Sequence, residues 1–295
     1  MNINLTIPAR SNKVDPLLWI VAPMAALSVV CAGTIFLYLL RESAPVFFAE
    51  GSGFLTRSDW WVGESYGAGS MIFGSFMVTG IALIIILPFA LGGAVFTSEF
   101  LSPRWRLVIK SVMELLAGVP GIVYGLLGMS MLAVWVKSGF GLIDGNTIFT
   151  AGLLLGIMIL PTIITLSEDA LRSVPGEYRE TALALGLTRI EMVWSTVIPQ
   201  AVPGIIGAIF LGMGRAMGET IAVMLVIGGL DKIPAPWFDV FQAGQSIPSK
   251  LGREAAEAIG SGLHWNALMG LGLTLFLVVM TLSMAGNMFL KRVRM

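Results

Sequence analysis

The chain has 295 residues and no formal net charge; 56% are hydrophobic, 12% are charged, and 35 are glycine. Soluble domains carry about 25% charged residues, so this composition excludes a water-exposed globule and fits a bilayer, which needs no polar coat. Neutrality gives no electrostatic basis for nucleic-acid binding, and one cysteine (Cys31) with one histidine (His264) excludes an intrachain disulfide or a Cys cluster and leaves little for a Ser-His-Asp triad.

A helix needs about 20 apolar residues to cross the hydrocarbon core, and six runs meet that demand: 17–40, 70–97, 108–136, 148–166, 198–230 and 263–290. The chain is expected to be an all-α integral membrane protein with six transmembrane helices. Residues 1–16 form an N-terminal segment with Arg10 and Lys13. The following run exceeds the ~7–15 residues of a signal-peptide core, so it reads as a retained first span. An outer loop at 41–69 carries Trp60 and Trp61, which suit an interfacial aromatic belt, as do Trp237 and Trp265 further on. The third span holds Glu114 near its inner end, expected to pack or cap, and Gly121-x-x-x-Gly125, a spacing that lets helices approach; Gly152-x-x-x-Gly156 repeats it in the fourth.

The loop 167–197 is charged and carries helix punctuation. Pro175 suits a first helical turn. Tyr178, Ala182 and Leu185 recur at helical spacing, and Gly186 is a natural stop because glycine enters the left-handed region freely. Thr188 and Glu191 have capping-box spacing for a second helix, and Pro199 marks entry into the fifth span. A helix–turn–helix is predicted.

The fifth span places Arg215 near its middle, where a guanidinium costs about 2.5–3.5 kcal/mol on insertion scales and should face protein or water. Glu219 lies four residues on, predicted one turn away on the same face, with Gly212, Gly218 and Ala222 beside it. Two readings stand: an ion pair that locks helix packing, or an Arg215 that lines an anion path with Glu219 holding it. An outer loop at 231–262 leads to the last span, which His264 opens as a structural residue.

The basic residues orient the chain. With the N-terminus inside, eleven fall on that side (Arg10, Lys13, Arg104, Arg106, Lys110, Arg172, Arg179, Arg189, Lys291, Arg292, Arg294) and six opposite (Arg41, Arg57, Lys137, Lys232, Lys250, Arg253). Both termini, including residues 291–295, are expected to be cytoplasmic. No Gly-x-x-x-x-Gly-Lys-Ser/Thr loop and no Gly-x-Ser-x-Gly elbow occurs, so the chain has no sequence basis for ATP hydrolysis, and no catalytic or metal-ligating residue is assigned.

Glu180-Thr181-Ala182, Gly186 and Ile198-Pro199 resemble the E-A-A-x-x-x-G…L-P loop of ABC importer permeases. Thr181 replaces the first Ala, and Thr196 an apolar residue, without removing helix or turn. The segments 119–125 (VPGIVYG), 214–220 (GRAMGET) and 262–264 (GLH) are similar to the C-type permease subunits of the high-affinity phosphate (Pst) importers, over residues 65–290.

The resemblance implies a type I ABC importer permease architecture, with a first helix and outer loop at 17–69 and a core transmembrane domain at 70–290 containing the cytoplasmic coupling loop 167–197. It implies that Glu180, Thr181, Ala182, Gly186 and Pro199 couple to an ATPase, and that Arg215 and Glu219 belong to the translocation pathway. It implies a bacterial-type inner membrane, no cofactor on this chain, and ATP hydrolysed by a partner. The implied partners are a homologous second permease, two ATPase subunits, an extracytoplasmic phosphate-binding protein and lipid, with no nucleic acid. An ABC permease for molybdate or sulfate is the alternative. A membrane enzyme would need a polar catalytic cluster, and a self-contained secondary transporter would work without an ATPase.

Overall fold

A computed structural model describes residues 16–293; Arg10, Lys13 and Arg294 lie outside the described residues. Six helical runs are long and apolar enough to span a bilayer: Val21–Glu50, Gly69–Phe100, Gly121–Phe140, Ile148–Arg172, Arg189–Met217 and Leu263–Gly286. The expected number holds; the first span runs past its expected end at 40 to Glu50, and two further spans are built differently from expectation.

The first difference is in the third span. Helix α1 (Pro16–Glu50) and a short α2 (Gly53–Thr56) precede α3 (Gly69–Val95), which ends in a π-helical turn at Phe96–Phe100. A separate helix α4 (Pro103–Ala117) follows, and the spanning segment begins only at Gly121, as α5 (Gly121–Leu127), a π-helical turn (Gly128–Leu132) and α6 (Ala133–Phe140). Gly118, Val119 and Pro120 break the expected single helix, since Pro120 has no N–H to donate and biases Val119 away from the helical region.

The second difference is in the fifth span. After α7 (Ile148–Arg172) and α8 (Gly176–Ala184), helix α9 (Arg189–Met192) runs through a π-helical turn (Val193–Val197) into α10 (Ile198–Met217). Pro199 therefore does not mark a boundary: the widened turn before it accommodates the ring and the missing donor. The helix ends at Met217 rather than near 230, and a short α11 (Ile221–Val226) follows. Helix α12 (Ile247–Ala258) and α13 (Leu263–Val293) complete the chain.

Helix α3 lies along α7, α10 packs on α7 and α13, and α1 packs on α13. The central core is built from small and branched residues of α3 (Val78, Ala82, Ile86) against Leu155, Ile159 and Ile163 of α7, closed by Ala222, Val223 and Val226 of α11. Close approach needs glycine here. A Cβ on Gly152 would lie 2.6 Å from Ile81 Cγ2, and one on Gly156 2.5 Å from Ile86 Cγ1. The second small-residue spacing is thus a packing contact, as expected.

The segment before α12 is not a solvent-exposed loop. Residues 244–250 are all buried, Ile247 N donates to Ser75 Oγ of α3 at 2.9 Å, and a Cβ on Gly74 would lie 1.9 Å from Gln245 O. At the same end, a two-residue hairpin pairs β1 (Trp60–Trp61) with β2 (Ser65–Tyr66). Trp60 leaves the expected aromatic belt: it is buried against Tyr66 and His264, while Trp61 and Trp237 stay exposed.

Candidate translocation and coupling sites

Arg215 sits in the last turn of α10 and is exposed. Its Nη1 donates to Thr162 Oγ1 on α7 at 2.9 Å, and its Nη2 to Ala117 O, the last residue of α4, at 2.6 Å. Thr162 lies fourteen residues from one end of α7 and ten from the other. At 1.5 Å per residue the guanidinium is level with a point about 21 Å from one end of that helix and about 15 Å from the other. It is therefore held beside the interior of α7, and Arg215 lies in the last turn of its own span rather than near the middle, because α10 ends at Met217. Among the described residues no carboxylate pairs with Arg215.

Glu219 is not on the same helix face as Arg215. Gly218 ends α10, with Gly218 N and Glu219 N donating back to Arg215 O (3.3 Å) and Ala216 O (3.2 Å). Glu219 Oε1 then accepts from Ala222 N at 3.2 Å, capping the start of α11. A Cβ on Gly121 would lie 2.6 Å from Glu219 Oε1, so the carboxylate occupies the space that glycine leaves at the start of α5. Of the two readings, the ion pair gives way to separate roles: a guanidinium with no carboxylate partner among the described residues, and a carboxylate that caps α11 close to Gly121 of α5. The cause is the break at Gly218, whose low helix propensity combines with a side chain that competes for the backbone amide of Ala222. Glu114 is exposed on α4 and pairs with nothing among the described residues.

The 167–197 loop folds as the predicted helix–turn–helix, with its second helix continuing into the fifth span. Ala182 is buried against a cluster containing Ala94, Leu171, Val174, Val193 and Val197, so three spans clamp the loop. Gly186 has φ +87°, with Leu187 N donating to Ala182 O at 3.2 Å and Gly186 N to Leu183 O at 3.0 Å. These two bonds form a Schellman termination. Thr188 and Glu191 form the capping box: Thr188 N donates to Glu191 Oε2 at 2.8 Å and Glu191 N to Thr188 Oγ1 at 3.3 Å. Glu180 and Thr181 are exposed, and so are Tyr178, Leu183, Leu185 and Ile190. The loop therefore offers an apolar face with acids on it. Pro199 is exposed on α10 and not on this face.

Two acids escaped sequence analysis. Glu99, in the turn after α3, pairs with Arg179 of the loop, and Glu168, buried on α7, lies 3.7 Å from Arg106 and 3.6 Å from Lys110 of α4. Their one advance signal was position, each at the end of an apolar run.

Six spans, an exposed guanidinium held against the interior of one of them and a helix–turn–helix between two of them define a polytopic membrane permease. The chain belongs to the family described as the binding-protein-dependent transport system inner membrane component, whose pattern matches residues 90–294. It is 37% identical to the phosphate transport system permease protein PstC of Pasteurella multocida, over 84% of this chain and 82% of that one. It is 33% identical to the protein of the same name from Mesorhizobium japonicum, over 91% and 87%. A probable ABC transporter permease protein of Bacillus subtilis, YqgH, is 35% identical over 75% and 73%.

Among solved structures, the fold is similar to a bacterial alginate ABC transporter in complex with its alginate-bound periplasmic protein, with a TM-score of 0.64, 14% identity, and 94% and 95% of the two chains covered. It is also similar to an inward-facing methionine ABC transporter, with a TM-score of 0.57, 15% identity, and 77% and 94% covered. The fold is that of a type I ABC importer permease, and the chain is a multi-pass inner-membrane protein.

Proposed function

We propose that this chain is the permease subunit of an ATP-driven importer and forms half of a translocation pathway for inorganic phosphate. The observation that carries this is Arg215: a guanidinium held against the interior of α7, exposed on the isolated chain and unmatched by any described carboxylate. A charge there must meet water or another protein rather than lipid. A second permease chain facing α4 to α6, which bury only four residues, would enclose it in a conduit. The relatives named phosphate permeases favour phosphate over molybdate or sulfate.

Around this chain we place a homologous permease, two ATPase subunits that dock on the 167–197 loop and hydrolyse ATP, and an extracytoplasmic phosphate-binding protein. The chain itself carries transport without a cofactor. Both termini are cytoplasmic, a reading supported by the basic-residue asymmetry. The domain division proposed is that expected from the sequence, with 17–69 as the first span and outer segment and 70–290 as the core. Arg215 supplies the pathway's positive potential. Glu219 acts indirectly, by holding α11 against α5. Glu180, Thr181, Ala182 and Gly186 shape the docking surface, and Pro199 belongs to the span behind it.

The test is labelled phosphate, molybdate and sulfate uptake by cells expressing the chain with and without its co-purifying ATPase. Uptake of phosphate alone, dependent on that ATPase, is expected; uptake that persists without it would overturn the importer reading.

A further inference from the structure

Arg179 spends nearly all of its hydrogen-bonding capacity inside the chain. Its Nε donates to Glu99 Oε2 at 3.2 Å and its Nη2 to Glu99 Oε1 at 2.9 Å. Nη2 also donates to Leu171 O at 2.9 Å, and Nη1 to Val174 O at 2.6 Å. The partners are nearly closed to solvent: the Glu99 side chain is 6% exposed, and Leu171 and Val174 are buried. One planar guanidinium thus ties together α8, the turn after α3, and the last turn of α7.

The surroundings are built to hold that fork. The π-helical turn at Phe96–Phe100 brings Glu99 toward the loop, Thr97 Oγ1 secures the turn by donating to Gly93 O and Ala94 O at 2.9 and 3.0 Å, and Ser98 Oγ donates to Glu99 Oε1 at 2.9 Å. The carbonyls of Leu171 and Val174 lie at the C-terminal end of α7, where a cation is favoured by the helix dipole. Arg179 and Ala182, three residues apart, attach one face of α8 to the spans, whereas Tyr178 and Leu185 on the same loop remain exposed.

We infer that Arg179 and Glu99 are positioning residues that transmit movement of the docked ATPase into the membrane. This rests on the reading that the loop docks an ATPase. Displacement of α8 reaches the ends of α3 and α7 through the fork without a compliant step, because a bidentate pair fixes orientation as well as distance. Helix α7 carries Thr162, the hydrogen-bond partner of Arg215. The fork is therefore joined through one helix to the Arg215 charge. Lysine would keep the charge and lose the planar geometry.

The test uses the complete importer, with its ATPases, second permease and binding protein, in liposomes. It measures ATPase co-purification, ATP hydrolysis, and inorganic phosphate moved per ATP. For Arg179→Lys and Glu99→Gln, assembly and hydrolysis should persist. Phosphate moved per ATP should fall about tenfold, the scale set by losing one charge-assisted bond. Addition of Glu99→Asp as a shortened but charged partner should restore part of the ratio relative to Glu99→Gln. An unchanged ratio in Arg179→Lys and Glu99→Gln overturns the inference. So does a parallel fall of assembly, hydrolysis and uptake, which is the signature of a structural tie. Leu185→Glu on the exposed face reports separately on docking: if it leaves ATPase co-purification intact, the docking reading fails, whatever the fork variants do.

Discussion

Arg215 and Thr162 face each other across the α10–α7 contact, joined by a 2.9 Å hydrogen bond from Nη1 to Oγ1. That bond, with the one to Ala117 O, orients a charge that no described acid neutralises. Removing it should cut phosphate flux more than it weakens the fold. At about 4 Å and an effective dielectric near 20, one unit charge changes a monoanion's energy by roughly 4 kcal/mol. Arg215→Gln should lower labelled phosphate uptake at least about tenfold at matched membrane levels, and Arg215→Lys should fall between. Near-normal uptake by Arg215→Gln would assign the residue to packing.

Gly121→Ala should push the Glu219 carboxylate off the Ala222 amide, because the new Cβ would lie 2.6 Å from Oε1. Losing a helix cap costs about 1 kcal/mol. A thermal-unfolding scan of the purified chain should show a small loss. Glu219→Gln, which keeps an acceptor oxygen, should be milder than Glu219→Ala; equal effects would count against capping.

Gly186→Val should abolish ATPase co-purification with the chain still inserted, while Gly186→Asn should keep most of it. No atom lies within 4 Å of the Gly186 Cβ position. The cost is therefore backbone strain at φ +87°, which asparagine tolerates and a β-branched residue does not. Full co-purification of Gly186→Val would refute the left-handed turn as a requirement.

Topology can be read with cysteine probes in a background where Cys31 is replaced. Ser52 and Ser261 are exposed at the hairpin end of the molecule and should react with impermeant reagents from outside; Ser173, exposed at the coupling end, should not. Ser249 lies at a tempting position in the second outer segment but is 0% exposed and should stay unlabelled in the folded chain. External labelling of Ser173 in sealed cells would reverse the orientation.

Lys250 is 3% exposed, paired with Asp231 and Glu254, and sits 5.0 Å from the Trp60 ring. Lys250→Met strands two acids and should destabilise the chain by about 3–5 kcal/mol. Burial pushes the Asp231 carboxyl above its ordinary value of 3.8, against the pull of Lys250. A raised acid contributes stability that is complete below that value and is lost as pH rises through the folded pKa. The stability of Asp231→Asn relative to the native chain should therefore improve as pH rises from about 4; a deficit that widens with pH would show that pairing, and not burial, dominates.

Most of the architecture was legible in the sequence. Hydropathy along the chain located six spans, and local chemistry located the helix–turn–helix, down to the left-handed Gly186 and the Thr188–Glu191 capping box. Those features depend on residues a few positions apart, so the order of residues suffices to specify them. Tertiary structure alone decided what the charges do. Arg215 meets Thr162 and Ala117, 53 and 98 residues away, and Arg179 meets Glu99, 80 residues away. It also decided that Glu219 leaves the Arg215 face, because the α10 helix ends where Gly121 opens space for a carboxylate and the Ala222 amide needs an acceptor. Buried Lys250 follows the same logic: its segment reads as a polar outer loop, yet packing against α3 and α13 encloses it. A charge inside a membrane protein settles where it finds partners, and those partners are brought by helices whose mutual placement is set by packing rather than by local sequence.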